Sequence, residues 1–199
     1  ASQFSLDHVS KNPAKSDPER LNWINATYLS AMDNKTFSIQ VLIPELVSAG
    51  LEPVSGTETD TEKLYATRPA WYDLLSEILK PRTTVSPDVV EKSRFLYEGA
   101  EVTLDEKSVS KSLAKDGAGS ILEAAHAALL PVSEWTPANI DAALEVLPEE
   151  LDLKKRVVFQ AIRVAECGNM VSPPLGESMA LLGKDIALAR LERALKIAQ

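Results

Sequence analysis

Apolar residues recur at intervals of three and four along most of the chain, which is the spacing of an amphipathic α-helix. The clearest stripe lies in residues 69–81. Other helices are predicted over residues 18–29, 39–49 with a bend near Pro44, 62–66, 86–97, 105–115, 120–130, 137–147, 153–166, 173–182 and 185–198. The only strand-like pattern, residues 102–104, is too short to predict a strand. We therefore predict an all-α fold of about ten short helices.

Helix boundaries are marked by proline and glycine. A capping residue followed by proline predicts a helix start, because the side chain accepts a backbone hydrogen bond and proline presets a helical φ. This pair occurs at Asp17, Ser86, Thr136 and Ser172. Residues 99–104 interrupt the helical pattern, and we expect a hinge there between helical subdomains 1–98 and 99–199.

The composition is that of a soluble globular protein, with 45% hydrophobic and 25% charged residues in 199. No apolar run approaches the roughly 20 residues needed to cross a bilayer. The start has no signal-peptide pattern and lacks an initiator methionine, which suggests a piece of a longer protein. The single cysteine, Cys167, indicates a reducing compartment. We expect a cytoplasmic protein without a membrane partner.

The net charge of −8 argues against a general nucleic-acid binder. Residues 1–98 hold 10 basic and 14 acidic residues, and residues 99–199 hold 11 and 15, so each half carries −4. Neither half is a basic domain. Any contact with RNA must therefore be local and directed by shape.

No constellation of catalytic or metal-binding residues is visible. The two histidines, His8 and His126, lack neighbouring ligands at metal-site spacing. Cys167 has no histidine close in sequence and is typical of a small buried residue rather than a nucleophile. Gly117 and Gly119 lack the preceding strand of a phosphate-binding loop. The chain is expected to be a binding module or part of a larger enzyme.

Two segments could recognise a ligand. In residues 80–86, Lys80 and Arg82 leave one helix just before the next, and a guanidinium on such a turn can donate two parallel hydrogen bonds. Cations at a helix C-terminus are also favoured without any ligand. In residues 168–175, Ser172 offers a hydroxyl and Leu175 an apolar face for an unstacked base. Taken by itself, that loop is better explained as a plain connection between helices.

Five runs in order along the chain resemble the helical C-terminal region of bacterial-type glutamyl-tRNA synthetases. The last run, R-V-A-E-C-G followed by S-P-P-L-G-E and L-L-G, is similar to that family's R-V-A-x-T-G, S-P-P-L-x-E and L-L-G. L-K-P-R-T-T-V resembles the family's R-x-x-T-L, and F-L-Y resembles its A-x-Y-L-F more loosely. Trp135-Thr136 matches its W-T-x-x-x-L. The first run matches at Val9, Ser10, Lys11, Asp17, Glu19, Leu21, Trp23, Asn25 and Tyr28.

The resemblance implies a class I synthetase anticodon-binding fold and particular contacts with RNA. Arg82 looks like the arginine that glutamate-specific members use at the third anticodon base, where it favours cytosine. Ser172, Pro173 and Leu175 are similar to residues that contact the first base. Lys80 and Thr84 are candidate supporting contacts. Two departures affect the loop: Pro174 stands where glycine is also found, and Cys167 where a hydroxyl residue is common.

The implied function is recognition of the glutamate tRNA anticodon by part of a discriminating glutamate–tRNA ligase, active as a monomer. The family's ATP motifs are absent, so this fragment should need no cofactor and be inactive alone. The full-length enzyme would use ATP, Mg²⁺ and glutamate. An all-α protein-interaction module without RNA binding is the alternative, and it predicts an exposed apolar patch. A stand-alone helical enzyme is a more distant third.

Overall fold

The computed structural model describes residues 17–53 and 60–198. These residues contain helices and no strand, which confirms the all-α prediction. No helix among them is both long and apolar enough to span a bilayer. The helices are α1 Pro18–Ala31, α2 Asn34–Phe37, α3 Ile43–Ser48, α4 Thr61–Thr67, α5 Pro69–Leu79, α6 Asp88–Ser93, α7 Glu106–Lys111, α8 Ala118–Leu129, α9 Pro137–Glu145, α10 Leu147–Glu150, α11 Lys155–Cys167, α12 Leu175–Leu182 and α13 Lys184–Ile197.

Several predicted elements are subdivided in the structure. Helices α2 and α3 are joined by a π-helix, Ser38–Leu42, directly before Pro44. Proline has no backbone N–H to donate. The wider hydrogen-bond pattern of the π-helix occupies the turn before Pro44. The predicted helix 86–97 is α6 followed by a 3₁₀-helix, Arg94–Tyr97. The early part of the first family-like run, with Val9, Ser10 and Lys11, lies outside the described residues, as does His8.

Two of the four predicted caps are confirmed. The Asp17 carboxylate accepts from the backbone N–H of Arg20 at 3.2 Å, and the Thr136 hydroxyl accepts from that of Asn139 at 3.4 Å.

The predictions for Ser86 and Ser172 were wrong. Helix α6 begins at Asp88, whose own carboxylate accepts from the backbone N–H of Thr84. The Ser86 hydroxyl instead donates to the Glu45 carboxylate. Helix α12 begins only at Leu175, because Ser172 belongs to an extended loop before it.

The apolar side chains form two large clusters. One is built from residues 29–89 together with Leu181 and includes Phe37, Leu42 and Tyr72; the other is built from residues 113–194. Helix α12 lies against both: its carbonyls accept from the indole N–H of Trp71 at 2.9 Å and of Trp135 at 2.9 Å. The division after residue 98 remains a prediction.

A third, smaller cluster lies where the two large ones approach each other. It consists of Phe95, Val102, Cys167 and Leu182. Beside it, the guanidinium of Arg190 is 1% exposed and donates to three backbone carbonyls. These belong to Phe95 at 2.6 Å, to Gly99 at 2.7 Å and to Glu166. Arg190 thereby ties the 3₁₀-helix and the residue 99 turn to the end of α11.

Candidate nucleic-acid interface

A groove of about 760 Å³ opens beside this third cluster. Three stretches distant in sequence form it: the turn after α5, the end of α6 with the following 3₁₀-helix, and the loop after α11. Its lining residues are Arg82, Glu91, Lys92, Arg94, Phe95, Glu98, Thr103, Cys167, Asn169, Val171, Ser172 and Pro173. A cavity of this size is in the range of ligand-binding clefts.

The groove has an apolar base and a charged surface. Phe95, Cys167 and Pro173 are buried and give it apolar walls. Its charged lining residues are Arg82, Lys92, Arg94, Glu91 and Glu98, so cations outnumber carboxylates. The lining of the groove therefore has the opposite sign of charge to the chain as a whole, whose net charge is −8. Such a surface can attract an anion while offering apolar contact below it.

Arg82 is held at the end of α5 and faces the groove. It lies on a 3₁₀ turn, Lys80–Arg82, and its Nη1 donates to the carbonyl of Ile78 at 2.9 Å. The residue is exposed. A guanidinium carries five N–H donors, so this single bond fixes its position and leaves donors for a ligand. The two interpretations of Arg82 from sequence, helix-end cation and recognition residue, are therefore compatible.

Lys80 and Thr84 do not line the groove. The Lys80 ammonium donates to the carbonyl of Met32 at 2.7 Å, at the end of α1. The Thr84 carbonyl accepts from the side-chain amide of Asn25 at 2.6 Å. In the described structure both residues brace the turn that carries Arg82.

The loop after α11 is held by Arg163, a residue to which sequence reasoning gave no role. Its guanidinium donates to the Ser172 hydroxyl oxygen and to the Pro173 carbonyl, the latter at 2.7 Å. The Ser172 hydroxyl donates to the same carbonyl at 2.9 Å. The spacing of nine residues between Arg163 and Ser172 gives no local signal, because the contact forms only when the chain reverses at Gly168.

Leu175 differs from its expected exposure. It is 4% exposed, begins α12 and belongs to the larger C-terminal cluster rather than to the lining of the groove. As the first residue of a helix that packs against α9, it turns toward the core.

The remaining candidate groups have structural surroundings. Burial raises the pKa of the Cys167 thiol to about 11, so it stays protonated at neutral pH and serves as an apolar wall. His126 lies 3.2 Å from a Glu192 carboxylate oxygen. No cluster of metal-ligating side chains is found among residues 17–53 and 60–198.

Glu166 precedes the groove residue Cys167 on α11 and is fully buried. Within the described part of the chain, neither of its carboxylate oxygens has a hydrogen-bond partner. Burial raises the pKa of Glu166 well above its ordinary value, against the opposing effect of the Arg190 charge. The folded state therefore keeps this proton at pH values where the unfolded chain releases it, and stability falls as pH rises above about 4.5.

We expect Glu166→Gln to remove this loss of stability at higher pH. The variant should gain stability relative to the unsubstituted chain as pH rises from 4.5 to 8, by on the order of 1 kcal/mol. Urea unfolding at several pH values measures the difference. The same substitution at the exposed Glu101 serves as control, and parallel pH curves for Glu166→Gln and Glu101→Gln would refute the interpretation.

An all-helical module with a locally cationic groove over an apolar base is the class of protein that this fold and site define. The family model described as "anticodon binding domain" matches residues 43–195. The chain belongs to this family of anticodon-binding domains.

Curated relatives carry the name glutamate–tRNA ligase. The protein from Saccharopolyspora erythraea is 38% identical over 193 residues, which is 96% of this chain and 36% of the relative. The one from Corynebacterium diphtheriae is 39% identical over 192 residues, 94% of this chain and 36% of the relative. The chain thus spans about a third of the length of these relatives.

The fold also resembles a solved structure. The glutamate tRNA ligase of Elizabethkingia meningosepticum, crystallised with its amino acid, superposes with a TM-score of 0.78 over 98% of this chain and 36% of the other. At 19% identity this likeness concerns the fold alone.

Proposed function

We propose that the groove binds the anticodon loop of glutamate tRNA. The observation that carries the proposal is that Arg82 and Ser172, 90 residues apart in sequence, line one groove. Arg82, Ser172 and Pro173 are the proposed contacts with the bases. Leu175 is buried at the start of the helix that follows the loop, and Lys80 and Thr84 support the Arg82 turn.

The chemistry of these side chains suits single-stranded RNA. The unstacked bases of a loop expose their edges and faces, and proteins recognise them by hydrogen bonds and apolar contact. The Arg82 guanidinium, anchored through one N–H, can direct others toward the edge of the third anticodon base. A cytosine offers acceptors there, and the resemblance of Arg82 to the arginine of glutamate-specific members is the basis for proposing a discriminating protein. The loop at Ser172 and Pro173 would receive the first base.

We further propose that the chain acts within a longer glutamate–tRNA ligase. The relatives named glutamate–tRNA ligase match it over about 36% of their length. In this proposal the rest of the protein binds ATP, Mg²⁺ and glutamate, while residues 1–98 and 99–199 form two helical units that hold the anticodon. The chain alone would bind tRNA without attaching glutamate. We place the whole protein in the cytoplasm as a monomer.

Arg82→Gln is expected to reduce selectivity for the third anticodon base about tenfold or more, because one well-placed hydrogen-bonding pair contributes about 1–3 kcal/mol of discrimination. Binding would be measured with the chain and a panel of anticodon stem–loops: the glutamate-tRNA loop and versions altered at the first or third base. Circular dichroism should show unchanged helicity, since Arg82 is exposed.

The matched control is Arg156→Gln, an exposed arginine outside the groove. Its selectivity should equal that of the unsubstituted chain. Equal selectivity of Arg82→Gln and Arg156→Gln would contradict the assignment of Arg82. Failure of the unsubstituted chain to distinguish the loops at any salt concentration would contradict the proposed function itself.

One observation favours the second candidate function, a protein-interaction module. Helix α1 leaves four large apolar side chains exposed: Leu21, Trp23, Ile24 and Tyr28. Leu21, Ile24 and Tyr28 share one face of the helix, and an exposed apolar face of this kind can dock against another protein. The stem–loop panel separates the two functions, because the interaction module predicts no anticodon-dependent binding.

A further inference from the structure

We propose that Arg94 binds a backbone phosphate of the RNA strand in the groove. The inference rests on the proposed function and adds an anion site to it. Arg94 begins the 3₁₀-helix Arg94–Tyr97, lines the groove and is exposed. It thus stands on a different segment of the groove from both Arg82 and the Ser172 loop.

Arg94 differs from the other two cations of the groove in having no partner among the described residues. Arg82 donates to the Ile78 carbonyl at 2.9 Å, and the Lys92 ammonium lies 3.3 Å from an Asp88 carboxylate oxygen. Across residues 17–53 and 60–198, no side-chain hydrogen bond or ion pair engages the Arg94 guanidinium. Its five donors are therefore available to a ligand.

Glu98, one of the two acids that line the groove, is already occupied by other hydrogen bonds. The carboxylate of Glu98 accepts from the backbone N–H of Thr103 at 2.8 Å and from the Thr103 hydroxyl at 3.3 Å. The other acid of the groove, Glu91, lies one turn earlier on α6 and forms no ion pair with Arg94 within 4 Å in the described structure. The cationic character of Arg94 is thus not neutralised by a direct contact.

The backbone beside Arg94 is fixed. The next residue, Phe95, is 8% exposed, and its carbonyl accepts from the buried Arg190 at 2.6 Å. A side chain on an anchored backbone loses less entropy on binding than one on a mobile loop. Arg94 is therefore positioned at the edge of the apolar walls formed by Phe95, Cys167 and Pro173.

Phosphate is the ligand chemistry that fits this position. When bases enter the apolar part of the groove, the charged RNA backbone lies toward the groove surface, where the cations are. A guanidinium can donate two parallel hydrogen bonds to phosphate oxygens. A local contact of this kind also explains how a chain with a net charge of −8 could hold a polyanion.

The test is binding of the anticodon stem–loop panel to Arg94→Gln at several salt concentrations. A phosphate contact carries no sequence information, so affinity should fall about tenfold for every loop, with the ratios between loops unchanged. The slope of log affinity against log salt should decrease by about 0.7, the value for one phosphate of a single strand. Arg94→Lys keeps the charge but cannot donate two parallel hydrogen bonds. Its affinity should lie between that of Arg94→Gln and that of the unsubstituted chain.

Arg156→Gln is the matched control, because it removes the same charge from an exposed site. It lies 11 residues before Cys167 on α11, about 16 Å along the helix axis. That separation exceeds the screening length of about 8 Å at physiological salt. Arg156→Gln should therefore retain the affinity and salt slope of the unsubstituted chain.

A methylphosphonate scan of the loop identifies the phosphate. Neutralising the phosphate that Arg94 contacts should weaken binding to the unsubstituted chain and have little further effect on Arg94→Gln. The proposal is overturned if Arg94→Gln behaves as Arg156→Gln does, or if it changes the ratios between loops, since that would indicate a base contact. Absence of anticodon-dependent binding by the unsubstituted chain would instead refute the proposed function, before any variant is compared.

Discussion

Arg190→Met is expected to lower the free energy of unfolding by about 3–5 kcal/mol, because each buried acceptor left without a partner costs about 1–3 kcal/mol. The guanidinium is 1% exposed and donates to the carbonyls of Phe95, Gly99 and Glu166. Methionine fills much of the volume but donates no hydrogen bond, so three carbonyls would be left without this partner. The substitution also removes the charge that lowers the pKa of the buried Glu166 carboxyl. Urea unfolding followed by circular dichroism measures the change.

Arg193→Met is the matched control on the same helix. Arg193 is half-buried and donates to the Val102 carbonyl at 2.7 Å. Loss of one hydrogen bond of this kind should lower the free energy of unfolding by about 1 kcal/mol. If the Arg190 variant loses no more stability than the Arg193 variant, the bonds of Arg190 do not hold the two regions together as described.

Gly168→Ala is expected to destabilise the chain by about 3 kcal/mol or more. Gly168 ends α11 with φ +80°, a left-handed conformation that costs other residues about 1–2 kcal/mol. A Cβ there would also lie 2.1 Å from the carbonyl oxygen of Thr103. The backbone must shift to relieve that contact, which adds about 1–3 kcal/mol. Because Cys167 and Thr103 both line the groove, RNA affinity should fall as well.

Gly50→Ala separates the two contributions. Gly50 has φ +71°, yet a Cβ built there meets no atom within 4 Å. Only the left-handed conformation should then matter, and the loss should be about 1–2 kcal/mol. Equal losses in the Gly50 and Gly168 variants would show that the close approach of Thr103 has no energetic effect. Thermal and urea unfolding of both variants provide the comparison.

The groove combines two kinds of support that a binding site requires. Its apolar walls belong to a packed cluster, and its loop is fixed by a cation, Arg163, that spans Ser172 and Pro173. A loop held in this way presents its outer face without having to order on binding. Val171, at the tip, is 86% exposed and is the most solvent-accessible apolar side chain of the groove.

The sequence alone predicted the helices well where local signals were strong. Asp17 and Thr136 mark their helix starts because cap bonds connect residues only three apart. The same signal failed at Ser86, because its hydroxyl donates to the Glu45 carboxylate, 41 residues away in sequence. It failed at Ser172 because Arg163 takes the hydroxyl oxygen in a contact across the turn. A cap pattern therefore predicts correctly only where no other partner is close.

The amphipathic pattern of α1 illustrates a different limit. Leu21, Ile24 and Tyr28 have helical spacing, and the helix forms as predicted, yet these side chains are 57%, 47% and 65% exposed. Periodicity reports which residues share a face of a helix. Whether that face is covered depends on what packs against it, which no local pattern encodes.

The sequence by itself determined the all-α class, most helix positions and the chemical character of Arg82 and the Ser172 loop. Those properties follow from interactions within a few residues, namely helical periodicity, caps and the fixed φ of proline. Only the tertiary structure decided that Arg82, Arg94 and Ser172 share a groove, that Leu175 is buried, and that Arg163 holds the loop. These outcomes depend on contacts such as that of Arg190 with Gly99, across 91 residues, which form only when the helices pack.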